Sequence, residues 1–243
     1  MYRWFVYSDI NTTIESEIIA PMAQLLIDND FEVAPVIKAL LRSQHFHDAF
    51  YIGPMIKNPM DFVVGLYRQF NLLPEASEID NFANYFRLAS GMRVLQMLYF
   101  EPPNVAGWKA YYQKPAYYQT WISSATLAPR MQHTDQLATT GIVFRGQRFQ
   151  IDVLAIASTI ENGINPNELI QGLAKILYPQ ALSEKQIIAL KEILIPGLPD
   201  FEWTVEYSDY LTDPTNDDLR TSIKNRLRAL FKAMLAMPEY YLM

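Results

Sequence analysis

The chain has 243 residues, half of them hydrophobic and 19% charged, with a formal net charge of -6 at pH 7. That is enough apolar material for a buried core, so disorder is not expected, and the 20 Lys and Arg residues are scattered, without the basic stripe that a phosphate backbone needs, so nucleic acid is not an expected partner. Cysteine is absent, which removes disulfides, thiolate metal sites and cysteine nucleophiles.

The opening Met1-Tyr2-Arg3-Trp4-Phe5-Val6-Tyr7 is aromatic where a secretory signal would have a basic segment and then a long apolar one, so no signal is expected in this chain. Thr12 with Glu15 three positions later has the pattern of a capping box, and Ile14, Ile18, Ile19, Met22, Leu25 and Leu26 follow at helical spacing. A second helix is predicted over Val33 to Ser43, where Val36, Ile37, Leu40 and Leu41 recur and Pro35 falls in the first turn. Asn58-Pro59 joins a natural N-cap to a natural first helical residue, and Phe62, Val63, Leu66 and Phe70 mark the buried stripe of a third helix. A fourth is predicted from about Ile79 to Leu98. The longest apolar runs, such as Phe62 to Leu66 and Met97 to Phe100, fall far short of the ~20 residues that span a bilayer, so no membrane span is expected.

From Tyr99 to Thr120 the helical pattern is broken by Pro102, Pro103, Gly107 and Pro115; a connection that long inside a compact domain is functional or disordered, and its aromatic content speaks against disorder. Helical pattern resumes over Trp121 to Arg130, and Ile142 to Phe149 could form a small hairpin turning near Gly146. Asn165-Pro166-Asn167-Glu168 and Ser183-Glu184-Lys185-Gln186 are two further capping-box patterns, each opening a helix. A last long helix is predicted from near Asn216 through Leu219, Ile223, Leu227, Leu230, Phe231 and Met234, stopping before Pro238. The fold expected is all-α: a non-repetitive array of about eight helices with one long ordered aromatic loop and one small hairpin, in a single domain over residues 1–243. The polar, threonine-rich stretch 132–141 is the weak candidate for a subdomain boundary.

Chemistry-bearing clusters are few. His45 and His47 would share a face on an extended segment, but a zinc site needs a third protein ligand that the sequence does not indicate. Asp213, Asn216, Asp217 and Asp218 have the look of a calcium loop without its turn glycine or terminal glutamate, and acidic residues at a helix start are ordinary dipole partners. No Gly-x-Ser-x-Gly elbow and no phosphate-cradling glycine loop is present, so no catalytic residue, metal or cofactor is assigned.

The exception is the loop. Eight of the 23 residues from Tyr99 to Trp121 are aromatic, against 13% of the chain. Two readings stay open. The rings form a ligand platform, with Trp108, Tyr111, Tyr112, Tyr117 and Trp121 supplying apolar faces and Asn104, Gln113 and Arg130 the orienting hydrogen bonds, or they are the loop's own small core.

The same residues carry a family likeness. Pro102-Pro103-Asn104-Val105-Ala106-Gly107-Trp108, followed by Trp121-Ile122-Ser123-Ser124-Ala125-Thr126-Leu127 and Arg130, resembles the signature of the bacterial proteins grouped as domain of unknown function 1800. Ile56 to Gly65 is similar to that family's Ile-Lys-Ser-Pro segment, Leu40 to Phe46 to the segment before it, and Met237-Pro238-Glu239-Tyr240 to its ending. The chain departs from the pattern at Ser123, where the family usually has asparagine. Relatives have a substantial portion before the Tyr-Arg-Trp-Phe-Val stretch, so the resemblance implies the C-terminal part of a larger domain. It also implies an exported protein, periplasmic or extracellular, encoded beside another family of unknown function with a sulfatase-like look. It lends no activity. The function expected is therefore a non-enzymatic binding or assembly module for a protein partner or glycan; the alternative is a hydrolase of envelope polymers whose acid and base are carboxylates such as Glu101 and Asp61.

Overall fold

A computed structural model describes residues 1–73 and 77–243, and helices dominate it. At the N-terminus lie a short α1 (Tyr2–Phe5) and α2 (Thr12–Ile14), which passes through a single π turn, Glu15–Ile19, into α3 (Ala20–Asp28); α3 packs on α4 (Val33–Arg42). Asn11, not Thr12, is the cap: its side chain accepts the Ile14 N–H at 2.9 Å, which makes Thr12 the first helical residue. Tyr2, Val6, Ile14 and Leu40 form a small core of their own between these elements.

The large core is built from α5 (Pro59–Gln69), α6 (Glu78–Val94), α7 (Ser124–Ala138), α8 (Val153–Ser158), α9 (Pro166–Leu177), α10 (Glu184–Leu194), α11 (Asp200–Thr212) and α12 (Asp217–Ala236). α12 is its axis, in contact with α7 to α11 in turn. Ile223, Leu227, Leu230, Phe231 and Met234 follow one another by three and four residues along it, and none is exposed. Caps set the starts where the sequence placed them. Asn216 accepts from Asp218 and Leu219 N–H, Asn165 from Asn167 and Glu168 N–H, and Ser183 and Gln186 close a reciprocal box.

Other boundaries differ from the sequence expectation. α6 stops at Val94 because Gln96 turns left-handed (φ 68°) and the Met97 N–H closes back on the Met92 carbonyl at 3.0 Å, a helix stop that glycine usually marks. α7 starts later and ends later than Trp121 to Arg130: Ser123 and Thr126 form its capping box, and it continues through Pro129 to Ala138. Most of the polar stretch 132–141 is thus helical, with Leu137 and Ala138 fully buried. α8 and α11 lay outside the sequence expectation. α8 has only six residues, and α11 starts behind Pro199 with no side-chain cap to announce it.

The hairpin pairs β1 (Ile142–Phe144) with β2 (Gln147–Phe149) around Arg145 and Gly146, both at positive φ as a two-residue hairpin turn demands, and drops Phe149 into the core. No helix among the described residues is long and apolar enough to cross a membrane.

Two helical glycines test this packing. A Cβ at Gly65 in α5 would meet nothing within 4 Å among the described residues, whereas one at Gly172 in α9 would run into the Ile160 side chain. Helix propensity alone favours alanine at both by about 1 kcal/mol, while overpacking costs about 1–3 kcal/mol. Gly65→Ala should therefore raise the urea midpoint, and Gly172→Ala should lower it.

Candidate functional site

The site starts at the cap of α5. Asn58, buried, accepts the Met60 and Asp61 N–H groups at 2.9 Å each and donates from Nδ2 to the Asp61 carboxylate at 2.6 Å, so cap and carboxylate are locked together. The strand-like segment before it pairs antiparallel with the last residues of the chain. Lys57 N–H donates to the Tyr241 carbonyl at 2.7 Å, and Met243 N–H to the Met55 carbonyl at 2.9 Å. Lys57 Nζ also donates to the Tyr240 carbonyl at 2.6 Å and stands 4.4 Å from the centre of that ring.

Arg130 of α7 lies beneath, 0% exposed. Its Nη2 donates to the Lys57 carbonyl at 3.0 Å and its guanidinium lies 4.8 Å from the Phe62 ring centre, while Nε and Nη1 have no hydrogen-bond partner among the described residues. Burial lowers Arg130 to about 10, and burial together with the Arg130 charge lowers Lys57 to about 8. Asp61 reaches solvent, yet partial loss of water raises its carboxyl above the usual range, against the pull of Lys57. Burial, and then the Asp61 charge, raises the nearby Tyr111 hydroxyl as well, with Asn58 opposing.

Two clefts meet at Asp61, sharing Trp4, Met55 and Met243 in their walls. The narrower holds about 30 Å³, the room of one or two waters, between Tyr111, Tyr117 and Trp121. The wider, about 470 Å³, runs between α1 and the residues around Phe46 and Tyr51. Trp4 is the wall between them; its ring lies 4.7 Å from that of Tyr111, and Tyr111 in turn meets Trp121 edge-on at 5.9 Å.

Of the residues singled out from the sequence, the fold brings Tyr111, Tyr117 and Trp121 into one wall. Trp108 packs edge-on against Tyr111 from outside, at 6.5 Å. Asn104 donates to the Tyr112 hydroxyl at 3.2 Å on the exposed side of the loop, and Gln113 is exposed nearby in sequence. Arg130 lies behind the site, in neither cleft. Glu101 is exposed and lines neither cleft. His45 and His47 are engaged separately, His45 with the Tyr2 hydroxyl at 2.9 Å and His47 with the Leu41 carbonyl at 3.0 Å. Asp213 accepts from the Thr215 N–H and hydroxyl in the turn before α12. Sequence reasoning missed Trp4 and Tyr51. The aromatic string at the N-terminus was the available signal, but only tertiary packing sets it against the loop.

Residues 1–242 match the model of the family described as protein of unknown function (DUF1800), and the chain belongs to that family. No curated protein and no solved structure matches it.

Lys57 gives this region a pH signature. Between its folded value of about 8 and the ordinary 10.5, the unfolded chain keeps a proton that the folded chain has released, so raising the pH favours the folded state. Against a Lys57→Met reference, wild type should gain on the order of 2–3 kcal/mol between pH 8 and pH 10 in denaturant titrations. A flat difference across that range contradicts the buried placement of the ammonium.

Proposed function

We propose that this member of the family is a non-enzymatic binding module for carbohydrate at the envelope or exterior of a bacterial cell. The observation that carries the reading is the wider cleft. It is walled by rings, Trp4 at 46% exposure among them, and Asp61 presents a carboxylate fixed by Asn58 at its base. Sugar rings offer apolar C–H faces that stack on aromatic side chains, and hydroxyls that donate to carboxylates, so this pairing of surfaces fits them. A volume of about 470 Å³ suits a short stretch of glycan.

Binding is favoured over hydrolysis by the count of carboxylates. Glycosidic cleavage generally uses two, about 5–5.5 Å or 6.5–9.5 Å apart. Asp61 is the only Asp or Glu side chain lining either cleft among the described residues.

Calorimetric titration of the protein with soluble neutral, amino-sugar and uronic-acid oligosaccharides tests the reading. Binding to at least one class is expected, with Trp4→Ala and Asp61→Asn each weakening it at least about tenfold while the variants stay folded, the effect of losing a central contact. A folded wild type that binds none of them, binding untouched by both substitutions, or release of new reducing ends would overturn it.

A further inference from the structure

α6 has apolar side chains on two opposite faces. Leu88 and Met92 point into the core at 5% and 7% exposure. Ile79, Phe82 and Phe86 recur at three- and four-residue steps on the other side, exposed by 72%, 74% and 67%, with Tyr85 at 59% beside them and Val94 at 61% near the end. A surface helix needs one apolar stripe to join its core, and the second is a cost unless something covers it.

We infer that α6 is the interface of a homodimer in which two copies cross antiparallel about Phe86. Area, charge and shape each favour a second copy. At about 150–250 Å² per aromatic side chain, the exposed fractions of Phe82, Tyr85 and Phe86 add up to about 300–500 Å², and Ile79 and Val94 enlarge the patch. That reaches the upper end of the largest patch on a typical monomer, about 300–600 Å². Two such faces together bury about 1,200 Å², the lower end of specific interfaces.

Charge selects the direction. Glu78 opens α6 and Arg93 lies in its last turn, both exposed and both without an ion pair among the described residues, whereas Asp80 is already taken by Arg145 at 3.3 Å. Only the antiparallel arrangement sets Glu78 of each copy near the partner's Arg93, the reciprocal contact that two-fold symmetry requires. The same register lays Phe82 over the partner's Ser90 and Phe86 over its own counterpart, so large side chains meet small ones on either side of the axis. An anionic lipid surface fits this face less well, since its N-terminal end is acidic and the chain carries a net charge of -6.

Sedimentation equilibrium and light scattering on the full chain decide the matter. Wild type should have twice the 28.1 kDa monomer mass at tens of micromolar. Phe82→Asp should be monomeric with unchanged circular dichroism and melting temperature. Arg93→Glu should raise the dissociation constant at least about tenfold, and adding Glu78→Arg in the same chain should restore it. A wild type monomeric at about 100 μM overturns the inference, whether or not it binds vesicles or another protein through this face, as does a dimer that survives Phe82→Asp.

Discussion

A buried guanidinium with no carboxylate partner among the described residues holds the candidate site in place. Arg130 gives up its water for one carbonyl and the faces of two rings, Phe62 at 4.8 Å and Tyr241 at 6.0 Å. Desolvating a cation is costly, and ring faces return only part of the cost, so this arrangement persists because the surrounding core fixes it. The carbonyl it holds belongs to Lys57, whose N–H binds the end of the chain and whose ammonium binds it again one residue earlier. Three distant stretches therefore meet at one residue. The next residue, Asn58, starts α5 and aims Asp61, so the position of the carboxylate descends from the core through hydrogen bonds rather than from the loop above it.

How much of this was legible in the sequence depended on whether the signal was local. Asn58-Pro59, Asn165-Pro166, Ser183 with Gln186, and Asn216 announce their helices because a cap is written within four residues. The stripe of α12 was equally plain. Gln96 gave no warning that α6 ends before it, since the left-handed turn is occupied by a residue that usually avoids it. α11 was hidden for a related reason: Trp203 and Tyr207 lie four residues apart, but Pro199 supplies no side-chain cap, and the exposed Phe201, Val205 and Leu211 put apolar residues on the other faces, so no single stripe stands out.

The aromatic loop was visible as a density of rings and not as a geometry. Tyr111, Tyr117 and Trp121 close around a space for water, while Tyr112 and Asn104 pair at the surface. The wall that leaves room for a larger ligand comes from Trp4, which the chain brings over the loop from its opposite end. Likewise, the sequence announced α6 only as a helix from about Ile79, and it takes the structure to show its two apolar faces and which of them the core leaves uncovered. The cleft and this stripe are distinct surfaces, so a glycan-binding dimer would use both at once.

Hydrogen exchange in Arg130→Met tests the role given to the buried cation most directly. Methionine keeps much of the side-chain volume and removes the charge and the hydrogen bond to Lys57. If Arg130 fixes the site, the Lys57 and Met243 amides should lose protection while the amides of α12 keep theirs. Unchanged protection at Lys57 and Met243, or an equal loss throughout α12, would contradict that account.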